Sequence, residues 1–367
     1  MQINFLELEN YRNYESLSVE FNPQCNIIYG ANAQGKTNIL ESIYMCAWAR
    51  SHKGSKEREI IKRGSDEAHI KAEFEGNLSS HRIDIHLKKN SGKGIALNRI
   101  PIKKKSELYG HILVIMFSSE DLDIVKRSPL DRRNYMDMIL CQSDPLYLDE
   151  LIGYGRLLNQ RKELLKRFDD RKESINDLNS MLDIYDLQLS EYGKKIIIRR
   201  KQFIDELNSY VNDIHAGLTE GKEDLKVIYD AASDEDELYE NLIKNREKDK
   251  IYKQTHTGPH RDDLRFFEGK NDLKIYGSNG QQRSCAISLK LAEIKIIEHI
   301  KKEKPVLLLD DVLSELDRSR QVKLLSGLNG IQTLITCTGL DEFVKKEIPQ
   351  ADKIEISCGA LKNIERI

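Results

Sequence analysis

Residues 30–37 read Gly30-Ala31-Asn32-Ala33-Gln34-Gly35-Lys36-Thr37 and fit the pattern G-x-x-x-x-G-K-[ST]. A short apolar run at residues 27–29 leads into this stretch, and apolar residues at helical spacing follow it as far as Ala47. The motif therefore has the strand, loop and helix that a phosphate-binding loop requires. It predicts an α/β core that binds a nucleotide at the start of the chain.

Each residue of this loop has an expected task. The glycines let the backbone turn tightly, so that its N–H groups surround phosphates at the positive end of the following helix. Lys36 is expected to reach the β- and γ-phosphates, and the Thr37 hydroxyl to ligate Mg²⁺. The predicted ATP-binding residues of the loop are Gly30, Ala31, Asn32, Ala33, Gln34, Gly35, Lys36, Thr37 and Asn38.

A second motif lies near the C-terminal end, where the apolar run of residues 306–309 is followed by Asp310 and Asp311. Taken alone, an apolar strand that ends in a carboxylate is a common structural feature. Together with the phosphate loop, it predicts that Asp310 holds Mg²⁺ through water and that Asp311 orients or deprotonates the attacking water. The predicted metal ligands are thus Thr37 and Asp310, and the predicted catalytic residues are Lys36, Asp310 and Asp311.

A third motif, Ser278-Asn279-Gly280-Gln281-Gln282-Arg283, precedes a strongly helical stretch at residues 284–304. A loop of this composition at a helix N-terminus is a second device for binding phosphate. Because the chain already has a phosphate loop, we expect Ser278, Gly280 and Gln281 to contact the nucleotide of a second copy. The alternative is that this loop is an ordinary helix cap.

The distance between the first and second motifs predicts an insertion that leaves one ATPase core and returns to it. We predict three parts, at residues 1–145, 146–250 and 251–367. Strands near residues 4–7, 16–21 and 72–75 are expected to supply a mixed sheet. Residues from about 146 to 217 have apolar positions spaced by threes and fours, which predicts two long helices. They form either a compact helical lobe or a plain hairpin packed on the core.

Composition restricts the class of protein further. The 367 residues are 32% charged, yet the net charge is only −2, so any nucleic-acid surface must be a local basic patch. The six cysteines show no metal-ligand spacing, which is typical of reduced thiols in a cytosolic protein. No apolar run approaches the ~18 residues of a spanning helix, and the first residues do not resemble a signal peptide. We expect a soluble, cytoplasmic protein without a membrane partner.

Several basic clusters could form a surface for duplex DNA, because Lys and Arg contact phosphates without reading sequence. The first choice is the run of residues 103–105, which are all lysine. Each cluster by itself can equally be a solvated face. The other clusters are Lys53, Lys56, Arg58, Lys62 and Arg63; Lys88 and Lys89; and Lys194, Lys195, Arg199, Arg200 and Lys201.

The motifs and their order resemble the ABC-type ATPases of the SMC branch, and within that branch the RecF family. The resemblance covers essentially the whole chain. Beyond the three motifs above, it rests on Leu8-Glu9-Asn10-Tyr11-Arg12-Asn13-Tyr14, on Thr257-Gly258-Pro259-His260-Arg261-Asp262-Asp263 and on the pair Asp310-Asp311, where many relatives carry Glu second. It implies an ABC/SMC-like ATPase head with a helical second lobe, and it implies that Arg12 and Asn13 lie beside the nucleotide. Thr338 falls where transporters have a switch histidine, and Gln142 is the candidate for a glutamine loop.

The resemblance further implies an ATP-dependent homodimer that binds double-stranded DNA and single-strand–double-strand junctions. It implies cooperation with RecO and RecR in loading recombinase on gapped DNA. Because Asp311 is one methylene shorter than the Glu of many relatives, we expect slow ATP hydrolysis. Alternatives remain open: an ABC-type head with a different DNA-repair or transport partner, a nuclease-linked ATPase, or a binding module with a vestigial ATPase. The long insertion disfavours a transporter subunit, and the short segment after Asp317 disfavours a nuclease domain.

Overall fold

The computed structural model describes residues 1–90, 92–168, 174–221, 223–339 and 348–366. The chain forms two compact units, one of residues 1–122 with 293–367 and the other of residues 123–292. The first unit is thus built from both ends of the chain. The predicted boundaries at residues 145/146 and 250/251 differ from these limits, and the three-part division stays a prediction.

Most of the described strands belong to the first unit, and the two long helices that the sequence predicts belong to the second. The described strands are β1 Gln2–Tyr11, β2 Tyr14–Glu20, β3 Cys25–Tyr29, β4 Glu67–Glu75, β5 Ser80–Lys88, β6 Gly92–Leu97, β7 Ile100–Pro101, β8 Val114–Ser118, β9 Leu225–Asp230, β10 Asp263–Glu268, β11 Asn271–Asp272, β12 Val306–Asp310, β13 Thr333–Cys337, β14 Asp352–Ser357 and β15 Ala360–Glu365. The described α-helices are α1 Lys36–Trp48, α2 Glu57–Ile60, α3 Pro129–Ser143, α4 Pro145–Arg167, α5 Ile175–Thr219, α6 Leu238–Lys244, α7 Arg246–Tyr252, α8 Leu273–Tyr276, α9 Asn279–Lys301 and α10 Arg318–Ser326.

The mixed sheet of the first unit has the strand order β15-β14-β3-β13-β12-β8. Its strands are parallel except for β15, which pairs antiparallel with β14. The strand before the phosphate loop and the strand that ends in Asp310 are therefore separated only by β13. Because parallel strands end at the same edge of a sheet, both motifs lie at one edge.

The first unit also contains a separate antiparallel sheet with the order β2-β1-β4-β5-β6-β7. The strands predicted near residues 4–7, 16–21 and 72–75 belong to this sheet, so their assignment to the mixed sheet is wrong. The reason is visible in their alternating burial, which is typical of antiparallel strands with one covered face. The parallel strands β3, β12 and β13 are instead buried along most of their length.

Helix α1 packs against strands of both sheets, namely β4, β5, β8, β12 and β13. Every residue from Ile39 to Trp48 is buried, which is the pattern of a helix covered on all sides. This packing fixes the helix that begins at the phosphate loop, and it anchors the loop to the core of the unit.

The second unit contains the two predicted long helices, which are confirmed as α4 and α5, packed against each other. At one end of the pair, Leu164 and Leu165 pack against Leu178 and Leu182. The seam of α5 is not purely apolar, because Asp186, Arg200 and His215 are also fully buried on it. Among the described helices, none is long and apolar enough to cross a lipid bilayer.

The structure removes Arg200 from the predicted DNA-binding clusters. Its side chain is only 2% exposed and forms ion pairs with Asp137 at 2.9 Å and with Asp262 at 2.9 Å. Its cluster neighbours are also paired with carboxylates: Lys194 with Asp236, Lys195 with Glu150, Arg199 with Asp144, and Lys201 with Asp234 and Glu235. Within this basic run of α5, Arg200 is thus an internal ion-pair partner, and the charges of the exposed residues are offset by neighbouring carboxylates.

Candidate nucleotide-binding site

The phosphate loop is shaped by two glycines with positive φ angles. Gly30 has φ +151° and Gly35 has φ +114°, and residues that carry a Cβ rarely adopt such backbone conformations. A Cβ on Gly35 would lie 2.7 Å from Nδ2 of Asn13 and 2.8 Å from the Tyr14 hydroxyl. Gly35 is also the N-cap of α1, so no cap side chain competes for the N–H groups of the first helical turn. The loop can therefore present these donors to an anion.

Two turns of the first unit hold the loop from outside. Asn13 donates to the backbone carbonyl of Gln34 at 2.8 Å and accepts from Nδ2 of Asn38 at 2.8 Å, and the Tyr14 hydroxyl donates to the carbonyl of Gly35 at 3.0 Å. From the turn between β14 and β15, the backbone N–H of Gly359 donates to Gln34. Asn13 thus contacts the loop itself, which makes it a positioning residue for the loop.

Lys36 folds back over the loop in this structure. Its Nζ donates to the backbone carbonyls of Gly30 at 2.6 Å and Ala31 at 2.8 Å. Residues 31–33 are exposed, whereas Gly35 and Lys36 are buried. The ammonium group therefore lies at the loop, where phosphate oxygens would have to exchange with the carbonyl oxygens.

Thr37 and Asp310 are in direct contact, although they are far apart in sequence. The Thr37 hydroxyl donates to Oδ1 of Asp310 at 2.7 Å, and the Thr336 hydroxyl donates to the same oxygen at 2.8 Å. Thr336 is paired in register with Asp310 across β13 and β12. Thr336 was not predicted as a site residue, because nothing in the sequence distinguishes it except its place at the end of an apolar run.

Mg²⁺ prefers oxygen ligands and is bound in nucleotide sites by one or two protein groups together with phosphates and water. A threonine hydroxyl and a carboxylate in contact at the phosphate loop are such a donor set, so the residues present fit the ion. Asp311 follows with φ +55°, and its N–H donates to the Thr336 hydroxyl at 3.0 Å. This turn leaves the Asp311 carboxylate exposed, beside the predicted metal ligand.

Arg12 is occupied by another partner. Its guanidinium forms two hydrogen bonds with the Glu41 carboxylate, at 2.8 and 2.6 Å, and Tyr11 donates to Glu41 at 3.0 Å. Burial by itself would raise the pKa of Glu41, but hydrogen bonds from Arg12 and Ser51 lower it below its ordinary value. Although Glu41 is only 1% exposed, these hydrogen bonds favour its charged form, and the carboxylate fixes Arg12. The sequence analysis did not identify Glu41, since a single Glu in an apolar helix carries no distinctive signal.

Ser278, Gly280 and Gln281 lie in the second unit and form the start of α9. The Ser278 N–H donates to Oε1 of Gln281 at 2.9 Å, and the Gln281 N–H donates to the Ser278 hydroxyl at 3.2 Å. This reciprocal pair is a helix capping box. The expected contact of these residues with the nucleotide of a second copy stays a prediction.

Two weaker assignments from the sequence are also located. Gln142 is buried within α3 and is not part of a loop. Thr338 is exposed directly after β13, at the same edge as Asp310. His52 also lies in the first unit, and it belongs to none of the sequence motifs. Burial lowers the pKa of His52, and the carboxylates of Glu41 and Asp310 oppose that shift.

Comparison with known proteins shows the family. The family model for the RecF/RecN/SMC N-terminal domain matches residues 2–339. The DNA replication and repair protein RecF of Lachnoclostridium phytofermentans is 51% identical over 354 residues, which cover 96% of this chain and 97% of that protein. The chain belongs to the RecF family. RecF proteins are DNA replication and repair proteins, and the resemblance seen in the motifs is thereby confirmed.

Two solved RecF structures have the same fold. They are described as the recombination mediator protein RecF-ATPrS and RecF-ATP in the RecFOR pathway, and both have a TM-score of 0.89. They are 32% and 31% identical to this chain, cover 98% and 100% of it, and are themselves covered to 97%. The predicted fold class, an α/β ATPase head of the ABC and SMC type with a helical second lobe, is confirmed.

Proposed function

We propose that this RecF-family chain binds Mg²⁺-ATP at the phosphate loop and uses it as a switch for binding DNA in recombinational repair and replication restart. The observation that carries the proposal is the contact of Thr37 and Thr336 with one oxygen of Asp310 at the end of the loop's sheet. This contact brings the two proposed metal ligands, Thr37 and Asp310, together. The related structures named above as RecF-ATP and RecF-ATPrS support ATP as the nucleotide.

Each side chain of the site has a task in this proposal. Residues 30–38 surround the phosphates, Lys36 leaves the carbonyls of Gly30 and Ala31 for phosphate oxygens, and Thr37 and Asp310 hold Mg²⁺, which screens the phosphate charge. Asp311 is exposed beside Asp310 and orients the attacking water. An aspartate is one methylene shorter than a glutamate, so the water is held less closely and hydrolysis is slow.

We propose that the second unit completes the site of another copy. Ser278, Gly280 and Gln281 at the positive end of α9 bind the γ-phosphate of the partner's ATP, so that two chains enclose two nucleotides. Arg12 and Asn13 stay beside the nucleotide of their own chain. Hydrolysis removes the bridging γ-phosphate, and the dimer opens. In this proposal ATP hydrolysis acts as a timer, and it is weak and stimulated by DNA.

The proposed ligand of the dimer is double-stranded DNA next to a single-stranded gap, where RecO and RecR cooperate in loading recombinase in the cytoplasm. The description of the related structures as members of the RecFOR pathway supports these partners. On the first unit, Lys103, Lys104 and Lys105 are all exposed, in contrast to the paired basic residues of α5. These three lysines remain the first choice for phosphate contacts.

Sedimentation velocity tests the switch. Wild type, Lys36→Met and Ser278→Arg are compared with ATP and Mg²⁺, with and without duplex DNA. We expect only wild type to dimerise with ATP and to carry DNA, because Lys36→Met removes the phosphate ligand and Ser278→Arg blocks the partner's nucleotide. If all three proteins sediment alike, nucleotide is not the switch.

Salt dependence of DNA binding tests the surface. Replacing Lys103, Lys104 and Lys105 by Ala should weaken binding and reduce the slope of log K against log salt by up to about 2.7, at ~0.9 per lost phosphate contact. The matched control replaces Lys194, Lys195 and Lys201, whose ammonium groups are paired with carboxylates, and should leave the slope nearly unchanged. Equal slopes for wild type and the first variant would exclude this patch.

A further inference from the structure

Next to Gln281 at the start of α9, one histidine and two glutamates of the second unit lie close together. Nε2 of His215 lies 3.4 Å from Oε1 of Glu268 and 3.7 Å from Oε2 of Glu223. One ligand atom from each of the three residues lies within 4.8 Å of the others. His215 is 0% exposed and Glu268 is 7% exposed. Neither Nε2 of His215 nor Oε1 of Glu268 has a hydrogen-bond partner in the described part of the chain.

The surroundings determine which nitrogen of His215 carries the proton. The Ser288 hydroxyl donates to the carbonyl of Ser284 at 2.8 Å, so it must accept from Nδ1 of His215, 2.9 Å away. In the neutral ring, Nε2 then carries a lone pair. That lone pair faces two carboxylate oxygens, an arrangement that is repulsive unless a positive charge or a proton lies between them.

Gln281 holds the two carboxylates from the other side. Its Nε2 donates to Oε2 of Glu268 at 2.7 Å and to Oε1 of Glu223 at 3.2 Å. Each glutamate thus uses one oxygen for Gln281 and turns the other toward His215. Ser288 and Gln281 thus hold His215 and the two glutamates in place by hydrogen bonds, as the outer partners of metal ligands do.

We propose that His215, Glu223 and Glu268 bind a divalent transition-metal cation of the Zn²⁺ class. Zn²⁺ is bound by imidazole nitrogens and carboxylate oxygens, and a site with three protein ligands leaves the fourth position for water. Ligand bonds of 2.0–2.2 Å in a tetrahedron put neighbouring ligand atoms about 3.4 Å apart, close to the two separations at Nε2. The imidazole ligand disfavours Mg²⁺, so this site is distinct in chemistry from the one at Thr37 and Asp310.

The site would also connect a cation to the start of α9, because Gln281 is part of the Ser278 capping box and contacts both carboxylates. Cation binding fixes these carboxylates and thereby the amide of Gln281. Binding itself does not depend on the proposed ATP switch. We expect slower amide hydrogen exchange at residues 278–283 in the Zn²⁺-bound chain, and unchanged exchange would overturn this coupling.

The binding test uses the full chain without nucleotide, titrated with Zn²⁺ against a chromophoric chelator, with excess Mg²⁺ present. Wild type should bind one Zn²⁺ that Mg²⁺ does not displace. Glu223→Gln and His215→Asn should lose this ion, and Ser288→Ala should bind it ~10-fold more weakly. The matched control is Glu67→Gln, which alters the exposed His86–Glu67 pair at 3.0 Å in the first unit and should bind as wild type.

Two measurements keep the result unambiguous. The side chain of Glu223 is 28% exposed, so Glu223→Gln decides the outcome if the buried His215→Asn variant does not fold. The spectrum of the Co²⁺-loaded chain should show only weak visible bands from nitrogen and oxygen ligands. A strong near-ultraviolet thiolate band, or equal Zn²⁺ affinity for wild type and Glu223→Gln, would overturn the proposal. The cluster would then be explained by a proton shared between Glu268 and His215.

Discussion

The Thr37 hydroxyl donates a hydrogen bond of 2.7 Å to Oδ1 of Asp310, across 273 positions of sequence. It joins the first turn of α1 to the end of β12. The Thr336 hydroxyl, 2.8 Å from the same oxygen, holds the carboxylate from the strand between them. The geometry of the proposed metal site therefore depends on three elements, and the position of the Asp310 carboxylate is fixed by β13 as much as by the loop.

Thr336→Val should show what this third element contributes. The valine removes the buried donor to Asp310 and leaves the part-buried Asp311 N–H without its acceptor. We expect a loss of about 1–3 kcal/mol in the free energy of unfolding, measured by urea denaturation. Thr336→Ser keeps the hydroxyl and should cost less than Val. Equal losses for the two variants would mean that the hydroxyl contacts are not what stabilises this end of the sheet.

Gly35→Ala should disrupt the phosphate loop. At φ +114° a Cβ would meet Asn13 and the Tyr14 hydroxyl at 2.7–2.8 Å, so the loop or its supporting turn must shift. We expect a loss of about 1–3 kcal/mol in stability together with clearly weaker ATP binding, measured by fluorescent-nucleotide titration. Gly54→Ala is the control, since Gly54 has φ +70° with no atom within 4 Å of a Cβ. It shares the backbone strain without the clash and should keep its ATP affinity.

Arg200→Met should destabilise the second unit without acting on DNA phosphates directly. The substitution leaves Asp262, which is 0% exposed, without its ion-pair partner. Removing one partner of a buried pair costs about 3–5 kcal/mol, to be measured by urea denaturation. Lys195→Met, at an exposed pair 4.0 Å from Glu150, should cost less than about 1 kcal/mol. An Arg200→Met protein of wild-type stability with a smaller salt slope would instead restore Arg200 to the DNA surface.

His260 should make stability depend on pH. Its Nε2–H donates to the Thr255 carbonyl at 3.1 Å and its Nδ1 accepts from the Tyr154 hydroxyl at 2.8 Å, so the ring is held neutral. Burial lowers the pKa of His260 to about 4, below the ~6.5 of an unfolded chain. Between these values the unfolded state binds more protons, and the stability is lost as pH falls.

The size of this effect gives the test for His260. A shift from about 6.5 to about 4 corresponds to roughly 2 kcal/mol lost between pH 7 and pH 5. Urea denaturation at the two pH values should show this loss in wild type and a smaller one in His260→Gln, which cannot take up a proton. Parallel losses in the two proteins would assign the pH dependence to other groups.

Features with a local signal could be predicted from the order of amino acids alone. Residues 27–47 contain a strand, a glycine loop and a helix in direct succession, so the phosphate loop could be predicted without any distant contact. The long helices α4 and α5 were likewise predicted, because apolar spacing of threes and fours is a property of one segment.

Features that depend on distant partners became visible only in the folded chain. Burial makes Arg200 an internal ion-pair partner instead of a DNA contact, although its neighbours in sequence are basic and exposed. Pairing of β13 between β3 and β12 makes Thr336 part of the site. Packing of α5 against β9, which pairs with β10, brings His215 to Glu268. These outcomes depend on which segment of the chain covers a residue. A periodic pattern in the sequence indicates that one face is buried, but it does not identify the segment that packs on that face.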